Sequence, residues 1–342
     1  MRKRFTFFSG ACSFPLWANQ PTRKKNINTF LISFAALFIS AIISAQAPSP
    51  TPSEIKTHHV KTIDKHISDK PDNQFITDKG LFEHNEYDSE GRLISTYITE
   101  IKSSIEKEVP AYSIGKRGAR IPYTKVEHSY LYDTVFTFYS YDNQNRVTIK
   151  RSSVIGREIF KSNYYEYDEK GNVKKETVIR EVNAAEHMPE FKAGMQTVLS
   201  LESFSYELLV PGQVKKKFFN DEGRVYKEGI IHYNEKNQVI EETFDFSVTW
   251  IKERNNYKYT DKGLLSDKRM TSNEGYSVWD SYEYEFDNAG TLTGLHIFSD
   301  GIKTNDIGYL YDKNTGLLQS EVNRDFKKSS IRIVRYDYGF YY

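Results

Sequence analysis

A short frame recurs from residue 87 to the C-terminus: an aromatic residue, Asp or Asn next, Gly or Asn four positions after the aromatic, and Leu or Val six after. It is first met as Tyr87-Asp88-Ser89-Glu90-Gly91-Arg92-Leu93. It returns as Tyr141-Asp142 with Asn145 and Val147, Tyr167-Asp168 with Gly171 and Val173, and Phe219-Asn220 with Gly223 and Val225. Further copies are Tyr233-Asn234 with Asn237 and Val239, Tyr259-Thr260 with Gly263 and Leu265, and Phe286-Asp287 with Gly290 and Leu292. Tyr311-Asp312 with Gly316 and Leu318 carries one extra turn residue, and Tyr336-Asp337 opens a last copy that the chain end cuts short.

The frame reads as a β-hairpin turn. Gly and Asn are the residues that tolerate a left-handed backbone, and a type I turn followed by such a residue is a common three-residue hairpin loop. Asp88 then sits opposite Arg92 and Tyr87 opposite Leu93, which explains the constant offset of six. The turn residues are Asp88, Gly91, Asp142, Asn145, Asp168, Gly171, Gly223, Asn237, Gly263, Gly290 and Gly316. Alternating aromatics lead in, as in Tyr282, Tyr284 and Phe286, which is the period of half-buried strands. Most anchors are 25–27 residues apart, enough for two strands and two turns. The two gaps of 52 and 54 residues are expected to hide a degenerate copy each, and the gap of 14 to be half a unit.

These residues resemble the YD repeat of the RHS (rearrangement hotspot) family, from about Tyr87 to Tyr342. The resemblance implies an extracytoplasmic all-β protein of antiparallel hairpins, side by side in an elongated, curved and twisted sheet. The chain is too short for the shells of large members, so only the architecture and setting carry over.

A second, local resemblance lies at 186–225. Glu186-His187-Met188-Pro189-Glu190-Phe191 followed by Ala193-Gly194, and then Gly212-Gln213-Val214 with Gly223-Arg224-Val225, is similar to the start of the C-terminal domain of TonB-type energy transducers. It implies a short helix near 189–200, within an irregular insertion at 184–210.

Residues 1–45 hold six basic residues and no acid, and end in the apolar run Phe30–Ala45. This reads as a signal peptide with a long basic leader, cleaved after Ala45. Removing it would remove Cys12, the one cysteine, and with it disulfides and thiol chemistry. Residues 46–72, with Pro48, Pro50, Pro52 and Pro71, read as a linker, and 73–342 as the repeat domain.

Beyond residue 45 the chain has 41 basic against 46 acidic residues, a balance of −5 without a basic stripe, which argues against nucleic acid as a partner. No Gly-x-Ser-x-Gly elbow, His-Glu-x-x-His pair or zinc-type spacing is present. The reading is therefore of no catalytic residue, no metal and no cofactor, with His58, His59 and His66 solvated. Since turn chemistry explains the recurring residues, function is sought in those that do not recur. Trp250 and Trp279 are the candidate binding residues, because exposed indoles stack on sugars or partner surfaces. The expected role is a non-catalytic binding or scaffold protein of the cell envelope, with a protein or glycan partner. A carbohydrate-binding module and an energy-transducer accessory are the alternatives.

Overall fold

The structure, a computed structural model, describes residues 48–114, 120–185 and 191–342. The expected signal segment 1–45 with Cys12, the tip of the basic loop at 115–119 and the run Glu186–Glu190 lie outside the described residues. Helix α1 covers Pro52–Thr57. The strands are β1 Val60–Pro71, β2 Thr77–Tyr87, β3 Leu93–Ile114, β4 Arg120–Tyr141, β5 Val147–Val154 and β6 Ile159–Tyr167. They continue as β7 Val173–Asn183, β8 Ala193–Val210, β9 Gln213–Phe219, β10 Val225–Tyr233, β11 Val239–Phe246 and β12 Lys252–Tyr259. The last are β13 Leu265–Ser272, β14 Ser277–Phe286, β15 Leu292–Ser299, β16 Ile302–Tyr311, β17 Leu318–Asp325 and β18 Ser330–Phe340.

Every strand pairs antiparallel with its sequence neighbours, and β1 also pairs with β18, from Val60 opposite Phe340 to Pro71 opposite Ser330. The ring is closed: this is an 18-stranded up-and-down barrel. Closure removes the two outer edges that an open ribbon would leave unpaired. It corrects the elongated, curved and twisted open sheet, and with it the likeness to the RHS hairpin array. The TonB-type likeness fails too, because residues 193–225 are consecutive barrel staves and no separate domain. Of the helix expected near 189–200, the described part 191–200 is not helical: Phe191 and Lys192 lead straight into β8 at Ala193.

Residues 52–71, read as linker from their prolines, supply α1 and β1, the strand that closes the ring. Pro52 occupies the first helical turn, where no backbone donor is lost. Thr51 caps the helix in a reciprocal box with Glu54. Pro71 ends β1 opposite Ser330, the last pair of the seam.

The frame turns show their chemistry in the backbone. Asp88 N–H donates to the Arg92 carbonyl and Gly91 N–H to the Asp88 carbonyl, both at 2.9 Å, while the Asp88 carboxylate takes the N–H of Glu90 and Arg92. Tyr87 stands opposite Leu93, and Arg92 Nε lies 2.6 Å from Asp88 Oδ2. Gly91 has φ +79°, and Asn145 at the equivalent place has φ +60°. The turns after β2, β4, β6, β10, β12, β14 and β16 all lie at one end of the barrel, where α1 is also found. The turn at 220–224 follows β9 and lies at the opposite end. The gap of 14 from Phe219 to Tyr233 is thus one strand, and the gap of 54 from Tyr87 to Tyr141 is a single unit with 22-residue strands β3 and β4.

Alternation assigns the two faces. On β9 Val214, Lys216 and Phe218 are buried, while Lys215 and Lys217 are partly exposed; on β11 Glu242, Phe244 and Phe246 are buried and Asp245 is exposed. On these strands the buried face is the interior, filled largely by aromatic and aliphatic side chains. One cluster joins Ile63, Leu265, Tyr282, Leu295, Ile307, Tyr309 and Tyr336, with Ile55 of α1 packed into it. The other joins Val173, Phe204, Phe218, Ile231, Val239, Phe244 and Phe246. The outer face carries charge on several strands, with Asp64 and His66 on β1, Lys215 and Lys217 on β9, Lys252, Arg254 and Lys258 on β12, and Arg335 and Asp337 on β18, while Phe136 and Phe160 pack together on the outer face of β4 to β6.

Candidate functional site

The chemistry-bearing residues fall into an outer groove, a sealed interior cluster and an outer carboxylate patch. The groove crosses β9 to β13 near the end opposite α1 and encloses about 560 Å³. Its walls are cross-strand ion pairs. Lys215 meets Glu228 at 2.9 Å and Lys252 meets Asp245 at 3.0 Å, while Thr243, Thr271 and Asn273 line the floor and one end. Arg254, also in the lining, meets Glu241 at 2.6 Å. Both signs of charge and several neutral donors face one space, so the groove can accept and donate hydrogen bonds along its length.

Neither tryptophan singled out in the sequence lines this groove, but each neighbours a residue that does. Trp250 lies in the loop between β11 and β12, with φ +57° and 80% of its surface exposed. Asn273 fixes that loop: its Nδ2 donates to the Trp250 carbonyl and its Oδ1 accepts from Lys252 N–H, each at 2.9 Å. Trp279 is on β14 with its Cα opposite Arg269, one step along the outer face from Thr271. It is 42% exposed, and its Nε1 donates to Asp267 Oδ1 at 3.1 Å. The turn residues Asp88, Gly91, Asp142, Asn145, Asp168, Gly171, Asn237, Gly263, Gly290 and Gly316 lie at the α1 end, and Gly223 at the other; none lines the groove.

The interior cluster is what the sequence reading missed. Lys216 is fully buried, and its Nζ has no hydrogen-bond partner among the described residues. The amine lies 4.3 Å from the ring centre of Phe204, 4.7 Å from Phe218 and 5.2 Å from Tyr206. Lys227, 1% exposed, has its Nζ 3.7 Å from the ring centre of Phe244. Burial first, and the charge of Lys227 second, push the Lys216 amine well below the ordinary lysine range, against the pull of Glu176, Glu202 and Glu242. Burial likewise raises the Glu202 carboxyl, which Tyr226 and the two lysines partly offset. A signal was present: in Val214-Lys215-Lys216-Lys217-Phe218 the middle lysine shares its face with Val214 and Phe218.

On the outer face of β5 to β8, Glu181 is buried and receives Tyr164 Oη at 2.7 Å, Gln196 Nε2 at 2.8 Å, Arg151 Nε at 3.2 Å and the Ser162 hydroxyl. Burial alone would raise its carboxyl, but the donors Ser162, Tyr164 and Arg151 hold it low. Phe191 closes this patch, 5.1 Å from Phe160, with the Arg151 guanidinium 3.7 Å above its ring centre. Every lone pair needed is met, so this is a structural fastening. Among the described residues no group of three or more His, Cys, Asp or Glu is placed to hold a metal ion. His66 instead approaches Asp337 across the seam, at 3.3 Å.

No family model and no curated protein matches the sequence. Among solved structures, a porin-like protein from Bacteroides uniformis aligns at 12% identity and TM-score 0.35, covering 82% of this chain and 98% of that one. A porin-like protein from Bacteroides vulgatus aligns at 8% and TM-score 0.29, covering 80% and 97%. A third, TcdB2-TccC3-TEV, aligns at 9% and TM-score 0.18, covering 77% of this chain and 22% of its own. These scores are too low to define the fold, which rests on the strand pairing above. No helix among the described residues is long and apolar enough to cross a membrane.

Proposed function

We propose that this chain is an exported, non-catalytic binding protein of the cell envelope, and that the outer groove over β9 to β13 is its ligand surface. The observation that carries the reading is that two exposed indoles neighbour residues of one polar groove: Trp250 through the bond its carbonyl accepts from Asn273, and Trp279 opposite Arg269, two residues before Thr271. Indoles offer flat apolar area, and the groove supplies carboxylates, ammonium groups and hydroxyls beside them. That combination suits a glycan, whose rings have apolar faces and polar rims. The basic leader and apolar run before Ala45 support export.

The reading places the barrel in water, not in lipid. A lipid-facing barrel turns a continuous apolar band outward and a polar surface inward. Here Lys215, Lys217, Lys252, Arg254 and Lys258 face out, while Phe204, Phe218, Phe244 and Tyr309 face in. A solvated exterior leaves the groove open to soluble or surface-bound partners.

Calorimetric titration of the exported protein with a panel of oligosaccharides tests this. Binding is expected, and Trp250→Ala and Trp279→Ala should each weaken it by roughly tenfold, about 1.4 kcal/mol. Absence of binding at millimolar sugar, or binding that neither substitution changes, would overturn the assignment.

A further inference from the structure

Among the described residues the barrel keeps a strand edge without protection. β8 is 18 residues long, but its two neighbours cover it unequally. β7 pairs with it from Ala193 to Ser203, whereas β9 pairs only from Ser203 to Val210. From Ala193 to Glu202 one edge of β8 therefore has no strand beside it among the described residues, and its alternate N–H and C=O groups point away from the sheet. The side chains here are exposed as well: Met195 at 73%, Val198 at 59% and Leu199 at 55%.

Natural edges are usually blunted by charge, proline or a very short strand. The longer unpaired edges elsewhere follow that rule. Thr77–Phe82 of β2 includes Asp78 and Lys79, the outer part of β3 has Glu100, Lys102, Glu106, Lys107 and Glu108, and that of β4 has Arg120, Lys125, Glu127 and Asp133. The β8 edge reads Ala193-Gly194-Met195-Gln196-Thr197-Val198-Leu199-Ser200-Leu201, nine residues without a charge or a proline before Glu202 at its end. Such a stretch pairs readily with another strand.

We propose that this edge is a homodimer interface in which β8 of a second copy adds antiparallel to it. Self-pairing suits the sequence. A two-fold axis near Thr197 sets Met195 against Leu199 of the other copy and Gln196 against Val198, so no like charges oppose one another. The same register brings Lys192 of each copy to the Glu202 position of the other, at both ends of the paired segment. An isologous contact of this kind closes on itself and uses up the uncharged edge of each copy.

Sedimentation velocity on the exported protein reads the outcome. A concentration-dependent dimer is expected, and Thr197→Lys with Leu199→Lys should raise its dissociation constant at least tenfold while the melting temperature of the barrel stays in place. A second measurement needs no loss of stability. In a Cys12→Ser background, Thr197→Cys should oxidise to a covalent dimer, and cysteine at the outward Lys258 should not. A wild-type monomer throughout, a dimer indifferent to the two lysines, or a monomer that instead takes up an uncharged extended peptide of foreign sequence would each overturn self-pairing.

Discussion

Tyr141 Oη donates to the carbonyl oxygen of Leu93 at 2.7 Å, joining the aromatic of one turn frame to the aliphatic residue of the frame before it. The same link recurs around the barrel: Tyr167 to Val147 and Tyr259 to Val239, each at 2.7 Å, and Tyr338, two residues after the Tyr336 anchor, to Leu318 at 2.7 Å. Tyr284, two residues before the Phe286 anchor, does the same to Leu265 at 2.8 Å. The recurring tyrosine is thus a fastening between neighbouring hairpins as well as a packing residue. Tyr141→Phe keeps the ring and orphans a carbonyl, so it should cost about 0.5–1.5 kcal/mol in denaturant unfolding. Tyr276→Phe, on an exposed loop, should leave stability unchanged.

These phenols also set the alkaline limit. Burial pushes Tyr139, Tyr167, Tyr259 and Tyr311 up to about 12. Their folded values lie above the ordinary value near 10, so the folded state holds more protons in that window. Stability therefore falls as pH rises from about 10 towards 12. Absorbance at 295 nm should show many phenols still protonated at pH 11 in the folded protein, and a cooperative release on unfolding. Full ionisation near pH 10 without unfolding would contradict the burial.

The frame glycines are not equivalent. At Gly91 a Cβ would lie 2.3 Å from the Pro52 carbonyl oxygen of α1, on top of the strain of φ +79°. At Gly223, φ +74°, a Cβ would meet nothing within 4 Å. Gly223→Ala should cost only the left-handed penalty of about 1–2 kcal/mol. Gly91→Ala should cost clearly more and release α1 from the barrel end, read as proteolysis within Pro52–Thr57.

Lys216 has its amine buried among Phe204, Tyr206 and Phe218, without a hydrogen bond to any described residue. Lys216→Met replaces it with an unbranched apolar chain of similar length and should stabilise the barrel by about 1–4 kcal/mol at pH 7. The folded amine titrates below its unfolded value, so the wild type gains stability as pH rises towards about 10. The variant should lack that gain. Equal melting curves for the two proteins at pH 7 and pH 9 would contradict a sealed amine.

The turn stereochemistry was legible because a left-handed backbone site selects Gly or Asn locally. Ring closure was not, because β1 carries no frame. The seam between β18 and β1 needs no turn, and Asp69, which receives Arg332 Nε at 2.8 Å, is 263 residues from its partner. The direction of each hairpin was hidden for a related reason: the frame at Phe219 has the same local chemistry whichever end of the barrel it occupies. The tryptophans were visible as unusual residues, but the groove beside them is made by ion pairs such as Lys215–Glu228 that only the β9–β10 register brings together. The lysine run at 215–217 hides its buried member unless strand alternation is applied to each residue.

The closed ring is tested most directly at its seam, where Ser68 stands opposite Ile333. In a Cys12→Ser background, Ser68→Cys with Ile333→Cys should oxidise quantitatively to an intramolecular disulfide under native conditions, detected as a two-dalton mass loss in a monomeric chain that retains its melting temperature. An open array of hairpins would hold the first and last strands apart. Two free thiols that stay reactive to alkylation in the folded protein would contradict the barrel.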